Sequence, residues 1–314
     1  MIRKIVQYTI IVFVIITING CNTYTSFYSK TYSSIPKNDI PKIYRLDLSN
    51  QNLDALPKSI SKLKDLRMLN LSNNSDLDLD KIFKELENIT TLEILTLDNL
   101  DLKQLPESIL QFKNLKQLSL AYNPNLDFDK TFKLIGKLSI EFLNLKGNNI
   151  KLLPENISTL TAIKDLNLSY NNLIAEKNYQ FLSKLPNLYS LWLDHNNLKI
   201  LPKTIGKLDQ IRFLYIDHNE LSEIPIEISG MKKVWVIHTG YNKFKKLPEA
   251  FTKMNSLFMV HINNCNIKTI PRVYETEKYP LAGLILDNNP ISEQEKERAK
   301  RIFKGYFLLS FKQK

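Results

Sequence analysis

One pattern recurs along most of this chain, and it limits the fold more than any other feature. From residue 43 onward, segments of the form LxxLxLxxNxL, where x is any residue, begin 23 to 26 residues apart. The first positions of the eleven segments are Ile43, Leu66, Leu92, Leu115, Ile140, Ile163, Leu188, Ile211, Val234, Leu257 and Leu281. Such a period is typical of stacked copies of one small unit. A single unit cannot bury its apolar face, so neighbouring units must supply the core.

Each fixed position in the unit has a physical role. In LNLSYNNL (166–173), Leu166 and Leu168 alternate along a short strand and point into the core. Asn171 follows, and its amide can bond backbone groups of neighbouring units. The same slot holds Asn74, Asn123, Asn148, Asn196, Asn219, Asn242, Cys265 and Asn289, which predicts a buried ladder in which Cys265 is structural and not a nucleophile. Gln51 and Leu100 replace asparagine in units 1 and 3, where the ladder is expected to be imperfect.

The second half of each unit indicates a short helix. It reads LPxxIxxLxxL, as in residues 56–66, and the apolar positions have near-helical spacing, with proline suited to the first turn. Units 2, 4 and 6 lack this proline and run longer, as in residues 76–89, so a fuller helix is expected there.

Residues 41–291 therefore resemble the leucine-rich repeat family. The resemblance implies an α/β solenoid (a horseshoe) of about eleven repeats, with a parallel concave β-sheet and short convex helices. Residues 292–314 are expected to form a C-terminal cap. Its parts would be a charged helix over 292–304, with Ser292 as N-cap and Glu295 in the capping-box position, and a strand-like segment at 306–311.

The N-terminus has the layout of a secretory signal. Residues 1–20 combine a basic start with an apolar run of 14 residues, fewer than the roughly 20 that span a bilayer. The ending INGC (18–21) resembles a bacterial lipobox, which implies lipidation of Cys21; a plain signal peptide or membrane anchor is the alternative. Residues 21–40 are expected to be a flexible tether. The resemblance thus implies an extracytoplasmic protein, lipid-anchored to a bacterial membrane on its periplasmic side or at the cell surface.

The net charge of +11 permits an anionic partner, but its distribution argues against nucleic acid. The variable strand positions carry six cations, Arg45, Arg67, Lys116, Lys146, Lys164 and Arg212, and eight anions, Asp47, Glu93, Asp98, Glu141, Asp165, Asp194, Asp217 and Asp287. The positive excess therefore lies on helices, loops and tails. It predicts either a solvated convex face or contact with an anionic bilayer.

Catalytic motifs are missing from the sequence. It has no glycine-rich phosphate loop, no CxxC and no HExxH, and it has no segment outside the repeats that is long enough for a catalytic domain. Spacing alone does not exclude a Ser-His-Asp arrangement across neighbouring strands. We expect a protein that is not an enzyme and that has no cofactor.

Aromatic and histidine residues concentrate at the exposed strand positions of repeats 7–10. With two aspartates, the candidate ligand-binding set on the concave face is Tyr189, Trp192, Asp194, His195, Phe213, Tyr215, Asp217, His218, Trp235, His238, Tyr241, Phe258 and His261. Trp192, Tyr215, His238 and His261 should share one column, with rings about 4.8 Å apart. Asp194 and Asp217 should form the next column, with His195 and His218 beside it.

Such a patch is typical of the centre of a protein interface, and it predicts binding of a protein or peptide. Other interpretations stay open: an aromatic ladder that only stabilises the sheet, in a structural or adhesion protein of the cell envelope without a specific ligand, and a glycan-binding module. A divalent metal between His238 and His261 would have two ligands and no fixed third, so no metal site is predicted.

Overall fold

Each repeat contributes one short strand, and within each of the two units described below the strands pair in parallel in chain order. The computed structural model describes residues 29–37 and 42–313, which form two compact units. The first unit (29–37, 42–100 and 105–119) contains β1 (Thr31–Tyr32), β2 (Arg45–Asp47), β3 (Met68–Asn70), β4 (Ile94–Thr96) and β5 (Gln117–Ser119). The second unit (101–104 and 120–313) contains β6 (Phe142–Asn144), β7 (Asp165–Asn167), β8 (Ser190–Trp192), β9 (Phe213–Tyr215), β10 (Val236–His238), β11 (Met259–His261), β12 (Gly283–Ile285) and β13 (Leu308–Ser310).

The predicted alternation along the strands is confirmed. In β9, Leu214 is fully buried between the half-exposed Phe213 and Tyr215. The parallel register places Phe213 beside Val236, and Tyr215 beside His238. Residues at equivalent positions of successive repeats therefore form columns across the sheet of the second unit.

The segments after proline are 3₁₀ helices. They span Lys58–Lys62, Glu107–Gln111, Glu155–Thr159, Lys203–Lys207, Ile226–Gly230 and Glu249–Lys253. Each directly follows a proline, whose fixed φ suits the entry into a tight turn. Fuller α-helices occur in repeats 2, 4 and 6, as predicted: α1 (Leu79–Glu85), α2 (Phe128–Ile135) and α3 (Glu176–Leu182). A one-turn helix, α4 (Val273–Thr276), follows in repeat 10.

The predicted asparagine ladder is confirmed. Its members Asn74, Asn123, Asn148, Asn171, Asn196, Asn219, Asn242 and Asn289 are all buried. Asn219 shows the bonding pattern: its Oδ1 accepts hydrogen bonds from the backbone N–H groups of Asn196 and Leu198 in the preceding repeat. Its Nδ2 donates to the carbonyl oxygens of Leu193 and Ile216. These bonds satisfy backbone groups that the turn would otherwise bury without partners.

Cys265 occupies a buried ladder position, as predicted. Its Sγ accepts a hydrogen bond from the Asn242 backbone N–H at 3.4 Å. Burial raises the pKa of the thiol to about 11. Because the thiolate is the reactive form, we expect a thiol reagent to label Cys265 at pH 8 only after denaturation. Mass spectrometry of folded and urea-unfolded protein would measure this, and rapid labelling of the folded chain would contradict the burial of the thiol.

Both ends of the repeat region carry an additional strand. The predicted signal peptide 1–20, Cys21 and residues 22–28 lie outside the described residues. Within the predicted tether, β1 pairs in parallel with β2, and Arg45 Nε donates a hydrogen bond to Thr31 Oγ1 at 3.0 Å. Sequence periodicity did not indicate this strand, because two residues are too few to show alternation. No helix in 29–37 or 42–313 is long and apolar enough to cross a membrane.

The C-terminal cap consists of α5 (Glu293–Ile302) and β13, which pairs with β12. Ser292 is the N-cap, and its Oγ accepts a hydrogen bond from Glu295 N at 3.2 Å. Contrary to the capping-box prediction, the Glu295 carboxylate accepts hydrogen bonds from Ile270 N and Arg298 Nη1, both at 2.6 Å. Glu295 therefore connects the cap to the preceding repeat.

Candidate functional site

The strand face of the second unit carries three adjacent rows of aromatic and histidine side chains. The central row contains Trp192, Tyr215, His238 and His261, at the last positions of β8 to β11. Successive ring centroids lie 4.9, 4.6 and 4.0 Å apart, and the rings are stacked. The predicted column and its spacing are therefore confirmed for these four residues.

A second row, called the turn row below, is formed by residues that come just after the strands in the sequence. Tyr170, His195, His218 and Tyr241 stack with centroid separations of 4.0, 4.3 and 4.0 Å. All four have left-handed backbone conformations, with φ between 49° and 56°. Most other repeats place Asn or Gly at this position, namely Asn50, Asn73, Asn99, Gly147, Asn264 and Asn288. A tyrosine there carries strain of order 1–3 kcal/mol, which stacking partly offsets.

The third row, here the outer row, lies on the opposite side of the central row and is less regular. It contains Tyr189, Phe213, Trp235, Phe258 and Phe307. Tyr189 and Trp235 keep 43% and 46% of their surface exposed, so they offer area to a partner. Together the central, turn and outer rows are called the aromatic face below.

The two predicted site aspartates are engaged with the fold. Asp194 accepts a hydrogen bond from Ser169 Oγ, and its other carboxylate oxygen lies 3.1 Å from His195 Nδ1. Asp217 accepts one from the Gly240 backbone N–H at 2.8 Å. Burial raises the pKa of Asp217 to about 6, and the charge of Asp194 adds to the shift. Both aspartates thus bond their own repeat to a neighbouring one. The sequence analysis assigned them to ligand contact and did not predict this structural role.

Protonation of His218, His238 and His261 is disfavoured on this face. Burial, with the adjacent His261, lowers the pKa of His238 to about 4, and burial also lowers the pKa of His261. The pKa of His218 is lowered by burial and by His195. Neutral rings can stack at about 4 Å without the repulsion that two imidazolium ions would have. The described residues hold no cluster of three or more His, Cys, Asp or Glu side chains arranged for a metal.

Several residues outside the predicted set also belong to this face. Tyr170 extends the turn row and Phe307 extends the outer row. The ring of Tyr122 lies over Gly147, which has a φ of 68° and where a Cβ would come within 2.5 Å of that ring. Lys146 Nζ lies 4.5 Å from the ring centroid of Tyr170. The sequence signal that was missed is the position with a left-handed backbone. It recurs once per repeat, just before the ladder asparagine.

Comparisons with known proteins agree with this architecture. Two segments, 139–160 and 187–208, match the family model described as Leucine Rich Repeat. Comparison with curated proteins found no match.

Three solved structures match this chain, and the first two of them are similar to it in fold. An internalin of Listeria monocytogenes has 18% identity and a TM-score of 0.59, with 86% of this chain and 81% of that chain covered. A chain in the Toll–Spatzle complex of Drosophila has 20% identity and a TM-score of 0.57, with 84% and 37% covered. A leucine-rich repeat protein of Leptospira interrogans has 23% identity and a TM-score of 0.41, with 90% and 100% covered.

The repeats, the strand arrangement and the two model matches make this chain a leucine-rich repeat protein with an α/β solenoid fold. Proteins of this fold are typically scaffolds for protein–protein interaction and not enzymes.

Proposed function

We propose that this chain is a lipid-anchored, extracytoplasmic protein of a bacterial envelope that binds another protein or a peptide through the aromatic face. The single observation that carries the binding proposal is the set of three ring rows on one half-exposed strand surface of repeats 7–10. Aromatic side chains bury much area with few rotatable bonds, which is why they dominate the energetic centres of interfaces. Lipid attachment at Cys21 rests on the N-terminal sequence alone.

Ring orientation favours a protein partner over a glycan. In the central and turn rows, neighbouring rings are tilted by at most 28° and lie 4.0 to 4.9 Å apart. Except for the outward side of the ring at each end of a row, their faces are therefore covered by one another, and solvent meets mainly their edges. A sugar ring packs against an aromatic face, whereas ring edges suit the carbonyl oxygens and aromatic faces of a polypeptide. Nucleic acid is not part of the proposal, since the variable strand positions of the repeats carry charges of both signs.

Strain in the turn row also supports a binding role. Tyr170 and Tyr241 are 45% and 47% exposed while they adopt a conformation that most repeats give to Asn or Gly. Strained backbone positions concentrate at functional sites. An envelope structural or adhesion protein without a specific ligand is the alternative, and the cross-strand stacking of the central row is the observation in its favour.

The test is a crosslinked pull-down from the envelope fraction and the surrounding medium, with the full chain in detergent. Replacing both Trp192 and Trp235 with alanine should abolish capture of the partner. With the purified partner, it should weaken binding at least about 100-fold, because these residues would be anchors of the interface. The matched control is Ile200→Ala/Ile226→Ala, which removes apolar area that is 65% and 54% exposed but lies outside the aromatic face. It should bind as the wild type does.

Circular dichroism establishes that each variant is folded. If the tryptophan variant captures the same material as the wild type, or if the wild type captures nothing, the rows stabilise the sheet and the structural alternative holds.

A further inference from the structure

One carboxylate on the strand face of the second unit differs from the others in having no partner. The strand-face carboxylates of this unit are Glu141, Asp165, Asp194, Asp217 and Asp287. Glu141 is paired with Lys164 at 2.7 Å, and Asp287 accepts hydrogen bonds from Ser310 Oγ and from Lys312 N. Asp194 and Asp217 are bonded as described above. Within the described part of the chain, the Asp165 carboxylate alone among the five makes no hydrogen bond or ion pair.

Asp165 lies on β7, the strand next to β8, which carries Trp192, the first residue of the central row. It is half-exposed on β7, in register with Phe142 of β6 and with the small, buried Ser190 of β8. The rings of Phe142 and Trp192 meet across β7 at a centroid distance of 6.4 Å and an angle of 71°. Diagonal neighbours on paired strands lie about 7–8 Å apart, so the carboxylate is within side-chain reach of the indole of Trp192.

The strand-face cations of the second unit lie against groups other than Asp165. Lys164 is paired with Glu141, Lys146 lies over the ring of Tyr170, and the Arg212 guanidinium lies 5.8 Å from the ring centroid of Tyr189. The charge of Asp165 nonetheless reaches the central row: after burial, it is the next largest cause of the raised pKa of Tyr215. The surface beside Asp165 thus combines an uncompensated negative charge with the aromatic rings of Phe142 and Trp192.

We propose that the slot formed by Asp165, Phe142 and Trp192 binds the cationic end of one lysine or arginine side chain of the protein partner. This rests on the proposed function and adds the chemistry of one contact to it. A carboxylate supplies a charge-assisted hydrogen bond, and tryptophan is the aromatic side chain that attracts cations most strongly. The two features together select a cation over a neutral side chain of the same shape.

The test uses tryptophan fluorescence of the full chain in detergent. The sequence contains two tryptophans, so a Trp235→Phe background leaves Trp192 as the single reporter. The probes are the blocked amino acids N-acetyl-arginine methylamide and N-acetyl-lysine methylamide, titrated at constant ionic strength. Their neutral counterpart is N-acetyl-citrulline methylamide, which matches arginine in shape. We expect a saturable fluorescence change with at least one cationic probe and none with the citrulline probe.

Asp165→Asn removes the charge at constant size and should lower the association constant at least about tenfold. Asp209→Asn is the matched control, because Asp209 is exposed and lies outside the aromatic face, so the same change of net charge should leave binding unaltered. Thermal unfolding verifies that both variants are folded. Equal binding of arginine and citrulline probes, equal binding by Asp165→Asn, or no saturable change would overturn the slot.

The capture experiment keeps the two proposals apart. Capture that depends on Trp192 and Trp235, without any probe response, overturns the slot and leaves the binding face in place. A probe response that depends on Asp165, without capture of any partner, supports the cation chemistry and overturns the proposed function.

Discussion

Replacing Asn219 with alanine is expected to lower the free energy of unfolding by about 4 kcal/mol. The side chain accepts two backbone hydrogen bonds at 2.9 and 3.1 Å and donates to the carbonyl oxygens of Leu193 and Ile216 at 3.0 Å. Alanine would leave these buried groups without partners, and each such group costs about 1–3 kcal/mol. Urea denaturation followed by circular dichroism measures the loss.

Asn255→Ala is the matched control for this substitution. Asn255 is exposed, and its side chain bonds no other group in the described part of the chain, so the change should stay within about 0.5 kcal/mol. A loss below about 1 kcal/mol for Asn219→Ala would mean that water replaces the side chain and that the ladder does not hold the repeats.

Asp217→Asn is expected to stabilise the protein by about 2 to 3 kcal/mol above pH 7 and to have little effect at pH 4. The pKa of Asp217 rises on folding to about 6 because the carboxyl group is buried. Below the unfolded pKa the group is protonated in both states and costs nothing. As the pH rises from about 4 to 6, the unfolded state loses its proton first, so the wild type loses stability over this window.

An asparagine amide avoids that cost and can still accept the hydrogen bond from Gly240 N. Asn263 stands at the equivalent position two repeats later, so the amide fits this column. Urea denaturation of wild type and variant at pH 4, 6 and 8 measures the difference, with Asp209→Asn as the exposed control. An equal gain at pH 4 and pH 8 would show that the gain does not come from ionisation.

The central row could be predicted from sequence because the two periodicities that define it are local. Alternation along a strand identifies the residues that face solvent, and the repeat length aligns Trp192, Tyr215, His238 and His261 in consecutive strands. The turn row was only partly predicted. His195 and His218 were identified beside the aspartate column, but the left-handed backbone that aligns Tyr170 and Tyr241 with them is not visible as a strand period.

The roles of the acidic residues could not be read from residue type. Asp165, Asp194 and Asp217 are equivalent as exposed-position aspartates in the sequence, yet Asp194 and Asp217 bond to Ser169 and Gly240, one in an adjacent repeat on each side. Asp165 has no such partner, although the register places Phe142 and Ser190 beside it. A hydrogen bond depends on what the neighbouring repeat presents, and the sequence of one repeat does not contain that information.

By itself, the sequence determined the repeat fold, the buried ladder with Cys265 in it, the fuller helices of repeats 2, 4 and 6, and the column from Trp192 to His261. All of these follow from short-range patterns repeated at a nearly constant interval. The tertiary structure alone decided the pairing of Thr31–Tyr32 with the first repeat, the continuation of the outer row by Phe307 of the cap, and the isolation of Asp165. The first two depend on contacts with segments outside the repeats, and the third depends on which side chains the neighbouring repeats present, so only the folded chain decides them.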